Sequence, residues 1–178
     1  LLMISLKKFE KYNLIVATIS FSIALTTYTL TVEPTASYWD CAEYISTSSK
    51  LQIGHPPGAP LFQMLGAFFS IFASDNEQIS LMVNMMSVIA SAITIFFLFL
   101  TLTIVGKKIL IKESTKISRK SAAAIITSSL IGSLSFTFSD SFWFNAVEAE
   151  VYAMATMIMS LLFWLGLKWE ENMQKPDG

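Results

Sequence analysis

The sequence is poor in charged residues. Only 14% of its 178 residues are Asp, Glu, Lys or Arg, whereas hydrophobic residues make up 53%. A soluble domain carries roughly 25% charged residues, so this chain has too little polar surface to stay dissolved. The shortage excludes a soluble globular enzyme, a disordered tail and a nucleic-acid binder that works through a basic patch.

Several residue types and motifs of familiar sites are also missing. The single cysteine, Cys41, excludes an internal disulfide framework and a zinc site built from cysteines. The sequence contains no glycine-rich phosphate loop, no His-Glu-x-x-His pattern and no serine-histidine-aspartate arrangement. Because these motifs are absent, none of the functions that they mark is indicated, and we predict no metal-binding residues.

Long hydrophobic runs are the main feature that is present. A transmembrane helix needs about 20 mostly apolar residues to cross the hydrocarbon core of a bilayer. The first run is longer than the roughly 7–15 residues of a signal-peptide core, which favours a membrane helix over a cleaved signal. A shorter run at 59–73 follows several prolines and is predicted to lie at the interface. The predicted transmembrane helices cover 13–32, 79–105, 121–139 and 151–167.

The distribution of basic residues supports this arrangement. If 59–73 does not cross, the loops alternate so that 11 of the 12 basic residues share one side of the membrane and Lys50 alone lies on the other. Because basic residues concentrate on the cytoplasmic side, the side with the 11 residues is predicted to be cytoplasmic. We predict an all-α integral membrane protein with one domain, 1–178, a cytoplasmic N-terminus, and juxtamembrane helices in a periplasmic loop, 33–78. The residues predicted to be cytoplasmic are Lys7, Lys8, Lys11, Lys107, Lys108, Lys112, Lys116, Arg119, Lys120, Lys168 and Lys175.

The outer loop contains two acids with helical spacing. Ser37 is a suitable N-cap for a helix that runs to about Leu51. Asp40 and Glu43 would then project from one face of that helix. Two carboxyl groups held against an apolar wall tend to have different pKa values, so that one can act as a base. The alternative is an ordinary solvated helix face, where acids favour the N-terminal end of the helix dipole.

Two further segments combine polar groups with constrained backbone. Three prolines in Gly54–Pro60 fix an extended, turning backbone around His55, which suits a catalytic group, although His55 could equally be a surface residue. Glu148 and Glu150 lie at the outer mouth of the last two predicted spans. Such acids often face a cavity within a helix bundle, but acids at a hydrated helix start are equally ordinary.

Three motifs together resemble a known family. They are Thr31–Tyr44 (TVEPTASYWDCAEY), Gly54–Leu61 (GHPPGAPL) and Asn145–Ala153 (NAVEAEVYA). They are similar to a bacterial membrane-protein family long described as a domain of unknown function, which is related to protein O-mannosyltransferases and to a eukaryotic transmembrane O-mannosyltransferase. The resemblance runs from about 12 to 171.

The resemblance implies the N-terminal part of a GT-C glycosyltransferase fold in a bacterial inner membrane. It implies a polyprenyl-phosphate-linked sugar as donor and the Ser or Thr hydroxyl of an exported protein as acceptor. The expected partners are membrane lipid, the lipid-linked sugar and the acceptor protein, with no nucleic acid. Members of the family have many more spans, and Ala42 stands where a glycine is expected.

The resemblance also implies roles for individual residues. Asp40 would be the catalytic base toward the acceptor hydroxyl, and Glu43 would orient the acceptor or share that duty. Lys50 is the single outer Lys or Arg, which leaves few cations for a departing phosphate, so we expect the isolated chain to be inactive. The residues expected to bind substrate are Trp39, Lys50, His55, Glu148, Glu150 and Tyr152.

A second class of function stays open. The chain would then be a non-catalytic membrane subunit or a transporter module, in which the outer acids bind a cation or a partner protein. The two classes differ in what they predict for the Asp40→Asn variant. Loss of glycosylation favours the enzyme, whereas a change in ion binding or assembly alone favours the subunit.

Overall fold

A computed structural model of the protein describes residues 3–110 and 116–173. Lys112 and Lys175, which we counted with the cytoplasmic lysines, lie outside these residues. Helices dominate the described chain, and two short strands accompany them. The elements in chain order are β1 (Met3–Ser5), α1 (Leu6–Thr31), α2 (Cys41–Ser49), α3 (Pro60–Ser70), α4 (Gln78–Leu110), β2 (Lys116–Ser118), α5 (Arg119–Thr137), α6 (Asp140–Ala146) and α7 (Val151–Met173).

Helix α4 is the centre of the structure. It makes its most extensive contacts with α1, α5 and α7 and also packs against α3 and α6. Its 33 residues span about 50 Å at 1.5 Å per residue, which exceeds the ~30 Å hydrocarbon core. A helix that is hydrophobic on all sides belongs in the middle of a bundle, and the most apolar stretch of α4 has a mean hydropathy of 2.6, against 1.6 for those of α1 and α7.

The predicted all-α integral membrane architecture is confirmed. Helices α1, α4 and α7 are each long and apolar enough to cross a membrane. Helices α5 and α6 pass the same test together but are bent by 66°, so residues 3–110 and 116–173 contain up to four candidate spans if this pair counts as one. Helix α3 has only 11 residues, which is too short to cross and agrees with the predicted interfacial position of 59–73.

The bundle has two chemically different ends. At the ribbon end, comprising β1, β2 and the adjoining helix ends, β1 pairs antiparallel with β2, and the Lys107 ammonium lies 3.1 Å from carboxylate oxygens of Glu10 and Glu171. At the loop end, comprising 32–77 and 138–150, Lys50 is the single Lys or Arg. The strands were not predicted, because three residues are too few to show an alternating pattern.

The start of α2 corrects a prediction. The helix begins at Cys41, not at Ser37, and Asp40 occupies the N-cap position without a capping bond from its side chain. Trp39 has a left-handed backbone conformation, with φ of 66°. A right-handed helix cannot run through such a residue, so Asp40 and Glu43 lie at the N-cap and in the first turn rather than inside a longer helix.

Helices α2 and α3 pack closely against each other and against α4. Tyr44 and Phe62 lie in the same buried cluster as Val83 of α4. A Cβ atom at Gly66 would lie 2.6 Å from Ser48 Oγ and 2.8 Å from Ser48 Cβ, closer than real Cβ contacts. Gly66 therefore permits the close approach of α3 to α2 that brings the loop segments together.

We expect Gly66→Ala to destabilise the protein by roughly 1–2 kcal/mol, because the added methyl group overpacks the α2–α3 contact. Gly166→Ala is the matched control, since it is also helical and a Cβ there meets nothing within 4 Å. The control should be neutral or stabilising by up to about 1 kcal/mol. Unfolding in mixed detergent micelles measures both changes, and equal stabilities would contradict the packing argument.

Candidate functional site

A buried amide in α4 holds the segment that follows α1 against the bundle. Asn84 has no solvent-exposed surface, and its Nδ2 donates to the carbonyl oxygens of Glu33 (2.6 Å) and Thr35 (2.9 Å). Its Oδ1 accepts from Cys41 Sγ at 3.8 Å. A single side chain thus fixes both the segment that leaves α1 and the first residue of α2. Asn84 belongs to no recognisable sequence motif, since it is a single polar residue in a hydrophobic run.

The three predicted site residues Asp40, Glu43 and His55 lie close together at the start of α2. The Nδ1 atom of His55 is 3.0 Å from Glu43 Oε2, and its Nε2 atom is 3.9 Å from Asp40 Oδ2. The backbone N–H of His55 donates to the other oxygen of Glu43 at 2.6 Å. Glu43 therefore fixes both the main chain and the ring of His55, so that the far nitrogen faces Asp40.

The packing around Glu43 explains why the Gly54–Pro60 segment can reach it. A Cβ at Gly54 would lie 2.9 Å from Gln63 Nε2 and 3.2 Å from Glu43 Oε1. Gln63 in turn donates to Thr47 Oγ1 at 3.1 Å. Glycine at 54 is what lets the backbone pass this close to α2 and α3. His55 is partly exposed, yet its position is fixed.

The contact changes the proton affinities of both partners. The hydrogen bond and negative charge of Glu43, with a smaller effect from Asp40, raise the pKa of His55 above its ordinary value of 6.5. Hydrogen bonds from the His55 backbone and ring lower the pKa of Glu43. An imidazolium paired with a carboxylate explains both directions, so at neutral pH this pair tends toward its charged form.

Glu148 and Trp39 share a separate cavity beside Asp40. The cavity has a volume of about 590 Å³. Glu148 is 7% exposed, whereas Trp39 is 88% exposed. The Glu33 backbone N–H donates to the carbonyl of Val147 at 3.1 Å, which joins the first and third sequence motifs. The lining residues are Glu33, Thr35, Ala36, Ser37, Tyr38, Trp39, Phe144 and Glu148.

Glu150 is connected to the other acids by electrostatics. Burial, followed by the negative charges of Asp40 and Glu148, raises its pKa above the ordinary value for a glutamate. Its backbone N–H donates to the Glu148 carbonyl at 2.8 Å, so both acids lie in the bend before α7. The structure thus brings acids from the first and third motifs into one region.

Two other predicted substrate-binding residues lie less centrally. Lys50 follows α2, about 15 Å along the helix axis from Asp40 at 1.5 Å per residue. Tyr152 is 61% exposed in the first turn of α7. The neighbouring aromatic group that does lie close to the site is Tyr44, whose ring centre is 6.0 Å from that of the His55 imidazole. The structure leaves both predicted roles untested.

The site also has the ligand chemistry of a metal centre. One ligand atom from each of Asp40, Glu43 and His55 lies within 4.8 Å of the others. Carboxylate oxygens and an imidazole nitrogen suit several divalent metal ions. The three residues could therefore hold such an ion. The sequence motifs did not indicate that His55 would join the two acids as a ligand, since it lies on a separate segment.

Comparison with known protein families bears on this geometry. The family model of the "Protein O-mannosyl-transferase TMEM260 N-terminal domain" matches residues 40–178, which include Asp40, Glu43 and His55. The chain belongs to this family. The predicted relation to O-mannosyltransferases is thereby confirmed. The GT-C fold and the bacterial origin stay predictions.

Two curated relatives of the chain come from eukaryotes. The chain is 28% identical over 141 residues to a protein named Protein O-mannosyl-transferase tmem260 from Dictyostelium discoideum. It is 26% identical over 151 residues to Protein O-mannosyl-transferase TMEM260 from Mus musculus. The matches cover 79% and 85% of this chain but only 15% and 19% of those two relatives. No solved structure matches the chain.

The His55 contact predicts a specific pH dependence. Because the folded pKa of His55 is raised, its stabilisation is complete below the ordinary value of 6.5 and is lost as pH rises through the raised value. Because the pKa of Glu43 is lowered, the same contact is also lost as pH falls through that lowered value. The contact is therefore strongest in weakly acidic to neutral solution.

NMR titration of the imidazole tests this prediction, and His55 is the sole histidine of the chain, so its signals need no assignment. We expect Glu43→Gln to bring the His55 pKa down toward its ordinary value. Glu77→Gln, an exposed acid in the same loop, should leave it unchanged. An unaltered pKa in Glu43→Gln would show that the two side chains do not interact.

Asn84→Ala should destabilise the loop end by about 1–3 kcal/mol, because it removes the donor of two partly buried hydrogen bonds to the carbonyl groups of Glu33 and Thr35. Asn145→Ala is the matched control, since the Asn145 amide donates only to the Ser141 carbonyl within α6. Hydrogen exchange of 33–41 and detergent unfolding measure the effect. Equal protection of this segment in both variants would contradict the role assigned to Asn84.

Proposed function

We propose that this chain provides the acidic loop of a membrane O-mannosyltransferase that uses a polyprenyl-phosphate-linked sugar and acts on exported proteins at a bacterial inner membrane. The observation that carries the proposal is the meeting of Asp40, Glu43 and His55 from two distant motifs, within a domain of the TMEM260 family. The relatives' names supply the reaction class, and the periplasmic position follows from the distribution of lysines.

Asp40 is proposed as the general base. The acceptor hydroxyl oxygen forms a bond to the anomeric carbon of the sugar, and the bond from that carbon to the phosphate oxygen breaks. The hydroxyl proton passes to the Asp40 carboxylate, and the electron pair of the broken bond leaves with the polyprenyl phosphate. Asp40 is half-exposed at the N-cap of α2, where an acceptor segment can reach it.

Glu43 and His55 have different proposed roles from Asp40. The carboxylate of Glu43 is hydrogen-bonded to the backbone N–H and to the ring Nδ1 of His55. Glu43 therefore acts as a positioning residue rather than as a second base. The imidazolium that this pairing favours offers a positive charge beside Asp40 for the departing phosphate. Trp39 and Glu148 line the neighbouring cavity, which suits the hydroxyl groups and ring face of a sugar.

The chain has little positive charge near the candidate site to stabilise a leaving phosphate. The chain covers less than a fifth of the two relatives, and Lys50 is the single Lys or Arg at the loop end. A leaving lipid phosphate needs more positive charge than one lysine and one histidine supply. We therefore propose that further segments complete the site and that the isolated 178-residue chain does not transfer sugar.

The ligand set gives support to one other function. Asp40, Glu43 and His55 could bind a divalent cation in a non-catalytic subunit or transporter module. In that case the cation would organise the loop end or bridge to a partner. The relatives' names favour the transferase, so we rank the cation-binding module second.

The deciding experiment compares glycosylation of envelope proteins in cells expressing the full-length protein with Asp40→Asn or Glu77→Gln. Loss of a general base typically lowers the rate by about 100-fold or more, so glycan should disappear in Asp40→Asn. It should persist in Glu77→Gln, which removes an exposed acid from the same loop. Membrane levels of the variants are matched by immunoblotting.

Unchanged glycosylation in Asp40→Asn would refute the proposed base. If the same variant also loses binding of Mn²⁺ or Zn²⁺, measured by calorimetry on the purified protein, the cation-binding module becomes the better account. Sugar transfer by the isolated chain would refute the requirement for further segments while leaving the role of Asp40 intact.

A further inference from the structure

A second cavity lies at the ribbon end, opposite the candidate site. It has a volume of about 370 Å³. Its polar lining consists of the Lys8 and Arg119 side chains and the Tyr12 ring, and Lys8 Nζ lies 5.9 Å from the centre of that ring. The remaining lining is apolar and comprises Ile4, Ala122, Ala123 and Ile126. The cavity thus combines two cations with a hydrophobic wall.

The positions of these cations on their helices are unfavourable. Lys8 lies in the first turn of α1, and Arg119 is the first residue of α5. The N-terminal end of a helix carries partial positive charge and favours anions. Neither helix has an acid in its first turn, and each helix directly follows one strand of the β1–β2 pair. The fold therefore concentrates uncompensated positive charge around one cavity.

The acids that the structure describes at the ribbon end pair with other lysines. Glu10 and Glu171 both contact Lys107, Glu170 contacts Lys108, and Glu171 also contacts Lys168. Within 3–110 and 116–173, Lys8 and Arg119 take part in no ion pair. The positive charge at this cavity is therefore available to a ligand from outside the described chain.

We propose that this cavity binds the headgroup of an anionic phospholipid, with Lys8 and Arg119 holding the phosphate. The two helix N-termini add to the attraction, as they do at other anion sites. The apolar wall formed by Ile4, Ala122, Ala123 and Ile126 continues along α5 toward the membrane and accepts the start of an acyl chain. Basic pockets between transmembrane helices at the cytoplasmic interface are suited to such headgroups.

The inference is independent of the proposed transferase activity. It concerns the opposite end of the bundle and shares no residue with Asp40, Glu43 or His55. It also goes beyond the general preference of lysines for the cytoplasmic side, because that preference predicts no difference between basic residues that line the cavity and neighbours that do not.

Native mass spectrometry of the full-length protein tests the site with phosphatidylglycerol and, in parallel, phosphatidylcholine. The doubly substituted variant Lys8→Gln/Arg119→Gln should lose phosphatidylglycerol binding by about tenfold or more. The control Lys7→Gln/Lys120→Gln removes the same charge from adjacent exposed residues outside the cavity lining, and it should change binding by less than about twofold. Lys8→Arg, which keeps the charge, should retain binding.

Each other result overturns the proposal. Equal losses in the two double variants would show diffuse attraction, and no loss in either would exclude the cavity. Equal binding of phosphatidylcholine would exclude recognition of the anionic headgroup. Displacement of phosphatidylglycerol by millimolar glycerol 3-phosphate would identify a soluble phosphate site. Should the cavity variant unfold in detergent, Lys8→Gln alone, judged against Lys7→Gln, decides by the same criterion.

Discussion

The arrangement of the loop end depends on the hydrogen bonds of one buried amide. Asn84 lies on the central helix α4, and its side chain satisfies the carbonyl groups of Glu33 and Thr35. A carbonyl group that packs against a bundle is costly without a hydrogen-bond partner, so this donor stabilises the segment that leaves α1 in its place against α4. Asn84 also accepts from Cys41, and thereby fixes the point at which α2 begins.

The geometry of the candidate site follows from that anchor. With Cys41 held, Asp40 occupies the N-cap of α2 and Glu43 its first turn. Glu43 then receives both the backbone and the ring of His55, and Gly54 leaves room for this approach. Helix α4 thus positions the segment that follows α1, and this segment positions the start of α2. Helix α2 in turn positions His55, which lies 12 residues after Glu43 in the sequence.

The residues of the candidate site could be predicted from the sequence more fully than the contacts between them. Asp40, Glu43 and His55 were all singled out, and the structure brings them together. The predicted helix start at Ser37 was wrong, because helix propensity does not reveal the left-handed backbone of Trp39. Asn84 was passed over, since its importance comes from two carbonyl groups some 50 residues earlier in the chain, and local pattern contains no such information.

The sequence by itself determined the membrane character, the helical class and which end of the bundle collects positive charge. These properties follow from run length and from the positions of Lys and Arg, and water and lipid impose them residue by residue. Only the tertiary structure decided that Glu43 holds His55, that α5 and α6 bend by 66°, and that Lys8 and Arg119 share a cavity. Those outcomes depend on close packing between distant segments, where one glycine or one amide decides whether two surfaces can meet.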